Sequence, residues 1–132
     1  MPPRRRSWAA KFTDARRGLV RALRSQHSFA VHLTVAAAVI LAAATCRVAA
    51  WEWTALALAI GMVLAAEVFN TAIESLARGP GATRHPRLRD ALDMAAAAVL
   101  VAACAAVAVG LAVFGPRLLA VLLPLARAPA PG

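Results

Sequence analysis

The chain has 132 residues, 61% of them hydrophobic, with 15 Lys and Arg against 6 Asp and Glu and a formal net charge of +9. Soluble domains hold roughly 45–50% apolar residues, so the excess points to a lipid environment, and the length allows one domain of modest size, which excludes a two-domain nucleotide-binding enzyme and a large transporter of paired repeats. The basic excess makes nucleic acid a candidate partner until the charges are placed along the chain.

Residues 1–28 form a basic arm. Within it Trp8, Phe12, Ala15, Leu19, Ala22 and Leu23 recur at helical spacing, with Lys11, Arg16, Arg17, Arg21 and Arg24 between them. This pattern predicts an amphipathic helix on the inner membrane surface, its apolar face in the acyl boundary and its arginines on anionic headgroups. A basic tail that only sets orientation is the plainer alternative.

Three apolar runs follow. Phe29 to Cys46 has 18 residues, with His32 and Thr34 as its polar members; His32 is expected to hydrogen-bond within the bundle. Thr54 to Ile73 has 20, interrupted by Glu67, Asn70 and Thr71, and Met94 to Phe114 has 21 without a charge. A hydrocarbon core of about 30 Å takes roughly 20 helical residues to cross, so each run qualifies. A soluble bundle would leave too little chain to cover three such helices. The first run is no signal peptide, because it stands behind a long arm and two more spans follow. An all-α membrane protein is therefore expected, with residues 29–117 as a three-span domain. Leu118 to Leu125 is too short to cross and contains Pro124, so 118–132 is expected as an interfacial or disordered tail. Cys46 and Cys104, inside apolar runs, are expected as small core residues rather than a disulfide or metal pair. Trp51 and Trp53 flank the second span where interfacial aromatics belong.

Placing the charges decides the partner. Eight Lys and Arg lie before residue 28, and Arg78, Arg84, Arg87 and Arg89 lie between the second and third runs, so twelve of 15 share one side if the spans alternate. The positive-inside rule puts that side in the cytoplasm, with the C-terminus outside. Membrane topology accounts for the basic excess, and no nucleic-acid partner is expected.

The second span runs inward, so Glu67 and Glu74 lie in its inner half. At 100° per residue Glu67, Asn70, Thr71 and Glu74 fall within about a third of the circumference, a stripe about 10 Å long. The third span enters behind Arg89, Asp90 and Asp93, and the first opens at Gln26, His27 and Ser28. All the polar groups converge just under the cytoplasmic surface. An acidic residue at a span's centre costs about 2.5–3.5 kcal/mol on insertion scales, and such residues mark sites. Carboxylates there suit Mg²⁺ holding nucleotide phosphates, with another carboxylate taking a proton from a hydroxyl delivered from the bilayer. Glue between helices and an ion or proton path are the competing readings of the same stripe. The chain has no G-x-x-x-x-G-K-[ST] loop and no kinase-type Gly-rich loop.

Glu67-Val-Phe-Asn70-Thr71-Ala72-Ile73-Glu74 resembles the signature of the small prokaryotic diacylglycerol kinase family, which includes the undecaprenol kinases. His85-Pro86-x-Leu88 with Asp93-Met-Ala-Ala-Ala-Ala-Val99, and Phe29-Ala-Val-His32, resemble its other blocks, so the similarity covers about residues 8 to 117. The resemblance implies a homotrimer of three-span subunits in a bacterial inner membrane, each with an N-terminal surface helix. Active sites between subunits at the cytoplasmic face would use MgATP to phosphorylate a membrane lipid alcohol, diacylglycerol or undecaprenol. It implies Glu67 as catalytic base and Glu74 as ligand of the Mg²⁺ that carries ATP. Asn70 and Asp93 would complete the polar site. The chain departs from the family at three places. Gln26 stands where a metal-assisting glutamate is usual, so it would serve the metal with a neutral oxygen. Leu92 replaces the lysine of a Lys-Asp pair, and Arg78 replaces an acidic residue. Arg89, on the same helical face as Leu92, and Arg78 are candidates to restore the cation. A weakened or inactive relative with a structural or regulatory role is the alternative these departures leave open.

The charge count yields a topology test: reporters fused at Gly132 and within residues 48–53 should both report the outer compartment, and a cytoplasmic C-terminus would overturn the shared inner site.

Overall fold

The computed structural model describes residues 7–25, 27–79 and 86–126. Gln26, expected as a metal ligand, and the tail beyond Ala126 lie outside the described residues. Four helices follow in order: α1 Trp8–Ser25, α2 His27–Thr45, α3 Ala50–Ala77 and α4 Pro86–Ala126. Among the described residues there is no strand. α3 and α4 are each long and apolar enough to cross a bilayer, and α2 brings the number to three when counted with α1, from which it turns by 96°.

α1 opens on Ser7, whose hydroxyl accepts the Ala10 amide at 3.2 Å, an N-cap that satisfies one of the helix's free donors. Lys11 lies 4.4 Å over the Trp8 ring. Trp8, Phe12, Leu19 and Leu23 stay exposed, and Ala22 is buried where α1 meets the bundle.

The turn from α2 to α3 is tight. The Val48 amide donates to the Ala43 carbonyl and the Arg47 amide to that of Ala44, both at 3.2 Å. These two bonds make a Schellman motif with Arg47 at the position that favours glycine, and Arg47 takes a φ of 49°. Ala43 and Val48, the two residues such a motif brings together, are buried in one apolar cluster with Leu56 and Val113, flanked by Trp53 and Phe114.

Above that cluster sits an ion pair that joins residues far apart in the chain. Glu52, in the first turn of α3, accepts the Ala49 amide at 2.7 Å, half of a capping box because Ala49 has no side-chain oxygen to reciprocate. Arg117 of α4 grips both carboxylate oxygens, at 2.9 Å and 2.6 Å, and also donates to the Val113 carbonyl. The α3 and α4 ends at this level are therefore pinned.

α4 begins with Pro86 in its first turn, where a missing amide leaves nothing unsatisfied. It has 41 residues, about 62 Å at roughly 1.5 Å per residue, and continues through Pro116. The stretch after Arg117 is thus a continuation of α4 as far as Ala126. Cys46 and Cys104 are both exposed and free, which corrects their reading as core residues. The apolar runs face outward from the protomer as well as inward, so an apolar neighbourhood in sequence does not mean burial. Trp51 is exposed, whereas Trp53, two residues on and on the opposite side of the helix, is half-buried against the cluster.

Left-handed backbone at a non-glycine residue is strained by roughly 1 kcal/mol or more. Arg47→Gly should raise stability by about 1 kcal/mol in thermal unfolding in detergent, and a loss would mean that the arginine side chain holds the turn.

Candidate active site

One face of α3 is buried: Glu52, Leu56, Ala59, Val63, Glu67 and Thr71 follow at steps of three and four. Between Glu52 and Glu67 the stripe is apolar. Its lower part, Glu67 and Thr71, is polar. Glu67 is 2% exposed, and His32 of α2 brings its Nε2 to 3.9 Å from Glu67 Oε2. That separation is an electrostatic contact rather than a hydrogen bond, so the bond expected for His32 takes this looser form.

His32 is also the polar residue lining an otherwise apolar cavity of about 250 Å³ between α2, α3 and α4. Its walls include Val35, Ile60, Leu64, Val107 and Phe114. The cavity therefore runs along the helices from the Phe114 level to the side chain that faces Glu67.

Thr71 lies one turn beyond Glu67. The hydroxyls of Thr13, Thr34, Thr45 and Thr54 each donate to the carbonyl four residues back. Thr71 does not, and its buried Oγ1 has no hydrogen-bond partner among the described residues.

Glu74 is half-buried and held from both sides along its own helix. Asn70 Nδ2 donates to Oε1 at 3.0 Å, and Arg78 donates to Oε2 at 3.2 Å. Asn70, Glu74 and Arg78 are spaced four apart, so they stack on one face. Glu67, Asn70 and Glu74 thus share α3, as the spacing predicts. Arg89 and Asp93 are exposed on the first turns of α4, with no hydrogen bond or ion pair to the α3 carboxylates among the described residues. Sequence reasoning did not pair His32 with Glu67 or Arg78 with Glu74. The second pair had a signal, since a glutamate four residues before an arginine is a favourable helical spacing.

The family model described as prokaryotic diacylglycerol kinase matches residues 13–114. The chain belongs to this family. It is therefore a lipid kinase. Among its curated relatives, the undecaprenol kinase of Bacillus subtilis (strain 168) is 34% identical over 107 residues, covering 81% of this chain and 87% of the relative. The diacylglycerol kinase of Synechocystis sp. is 35% identical over 129 residues, covering 92% of this chain and 74% of the relative. No solved structure matches the chain.

The donor set can be tested against the divalent cation that such a kinase implies. Among the described residues no three His, Cys, Asp or Glu side chains come together to hold a metal. Mg²⁺ in phosphoryl-transfer sites needs no such cage, because one or two carboxylates with nucleotide phosphates and water suffice. Glu74, one third exposed at its side chain, fits that lesser requirement.

An unpartnered buried hydroxyl costs about 1–3 kcal/mol. Thr71→Val, which keeps the shape and removes the hydroxyl, should raise stability by about 1 kcal/mol in detergent unfolding, and a fall would reveal a partner for Oγ1 in the assembled protein.

Proposed function

We propose that this chain is a Mg²⁺- and ATP-dependent kinase that phosphorylates the hydroxyl of a membrane lipid at the cytoplasmic face of a bacterial inner membrane. The observation that carries the reading is the position of Glu67, a buried carboxylate on a membrane-spanning helix, beside the His32 end of an apolar cavity. An apolar tail in that cavity leaves its polar end at Glu67. Diacylglycerol and undecaprenol both present a hydroxyl on such a body.

Glu67 accepts the proton of the lipid hydroxyl as its oxygen bonds to the γ-phosphorus of ATP, and the bond from that phosphorus to the bridging oxygen of ADP breaks. Glu74 would hold the Mg²⁺ with Asn70 orienting its carboxylate, and Gln26 would lend a neutral oxygen. When bound, the cation neutralises charge on the β- and γ-phosphates. Arg89 and Asp93, at the cytoplasmic start of α4, lie where a nucleotide arriving from water would meet the chain.

Three spans with the N-terminus inside follow from the distribution of basic residues. The exposed Trp8, Phe12, Leu19 and Leu23, and the 96° turn into α2, support α1 as a helix lying along the inner surface. Only 11% of the most apolar window of α4 is buried within one chain, which leaves room for neighbouring copies, and a homotrimer closes the polar stripe from lipid.

Purified protein given labelled ATP, Mg²⁺, and diacylglycerol and undecaprenol side by side should label a lipid, and label in neither would end the reading. Glu67→Gln should lower kcat by about a hundredfold or more with little change in KM for ATP. Glu74→Gln should instead raise the Mg²⁺ concentration needed for half-maximal rate. Were the glutamates only glue between helices, both substitutions would weaken the oligomer and leave the remaining assembly fully active.

A further inference from the structure

Glu74 already has a cation. Both of its oxygens are engaged, one by Asn70 at 3.0 Å and the other by Arg78 at 3.2 Å. A guanidinium and Mg²⁺ on the same carboxylate repel each other, so each weakens the other's hold. The two compete for Glu74.

The structure shows which is free to move. The Arg78 side chain is 61% exposed against 33% for Glu74. Arg78 is the C-cap of α3, beyond the last full turn. An exposed ion pair one turn apart on a helix is weak and is broken readily. The helix dipole alone would favour a cation at this end, but it does not direct the guanidinium onto the oxygen of one carboxylate. Arginine also carries a planar fork of donors that matches phosphate oxygens.

We propose that Arg78 is a stand-in cation: without nucleotide it neutralises Glu74, and on arrival of MgATP it yields that carboxylate to the metal and turns to the phosphates. The exchange rests on the reading of Glu74 as the metal carboxylate. No covalent bond is made or broken: the hydrogen bond from Arg78 to Glu74 gives way to coordination of that carboxylate by the metal. The chain thereby regains a positive charge at the phosphates that Leu92 does not supply, and its apparent affinity for the metal falls because the metal competes with a side chain.

The two roles predict opposite effects of one substitution. Binding of Mn²⁺ alone to the full chain in nanodiscs, followed by electron paramagnetic resonance without nucleotide, should tighten roughly three- to tenfold in Arg78→Gln, since the competitor is gone. Binding of ATP at saturating Mg²⁺ should weaken severalfold in the same variant. Arg78→Lys keeps the charge and loses the fork, so its Mn²⁺ affinity should stay near the parent's while its ATP affinity drops. Mn²⁺ binding that depends on Glu74 but does not tighten in Arg78→Gln overturns the exchange and leaves the kinase reading standing. Mn²⁺ binding that is unchanged in Glu74→Gln overturns both the exchange and the metal role of Glu74.

Discussion

A carboxylate placed within a helix long and apolar enough to span a bilayer has to be kept from lipid, and the architecture around Glu67 meets that requirement. Its insertion costs about 2.5–3.5 kcal/mol at mid-bilayer, so the residues near it are those that reduce the cost. α3 turns one continuous face to protein, and Glu67 lies on it. His32 approaches from α2, the shortest of the three helices that line the apolar cavity. Asn70 and Arg78 do the same for Glu74 at the next level down. The carboxylates of this face are held by separable contacts, at 3.9 Å for Glu67 and at 3.0 and 3.2 Å for Glu74.

The opposite end of the bundle is built differently. Arg117 and Glu52 meet with two hydrogen bonds over a cluster of Ala43, Val48, Leu56 and Val113. The chain reverses direction there with an arginine in left-handed backbone, and both amides that follow α2 are satisfied. The tightest polar contacts are concentrated at this end. Among the described residues, the unpartnered hydroxyl of Thr71 is found at the other.

Much of this was legible in the residues, and the reasons differ by feature. The spans and the polar stripe on α3 could be read because apolar length and the expense of buried charge leave few alternatives. The resemblance to the family rested on the Glu67-to-Glu74 octet and two supporting blocks, and the match of the family model to residues 13–114 bears it out. The Glu52–Arg117 pair was hidden, because 65 positions separate its members and Arg117 read as an isolated charge in a tail. Only the position of Glu52, three residues after the N-cap Ala49 of α3, hints at a capping role. The turn at Arg47 was hidden for the opposite reason: glycine or asparagine announces left-handed backbone, and arginine does not. The extension of α4 past Pro116 was missed because Leu118 to Leu125, with Pro124 inside it, read as a separate stretch too short to cross. The guanidinium of Arg117 instead binds the Val113 carbonyl in the turn that proline weakens.

The pinned end also has a mechanical meaning. Fifteen residues separate Glu52 from Glu67 on α3, a lever of about 22 Å at roughly 1.5 Å per residue. With the fulcrum at the Glu52–Arg117 pair, a tilt of about 5° between α3 and α4 moves the Glu67 level by about 2 Å. Such a tilt leaves the fulcrum's hydrogen bonds almost untouched while it widens or narrows the gap where polar groups gather. The bundle is thus stiff in the way a pair of tweezers is stiff, firm at the joint and compliant at the tips.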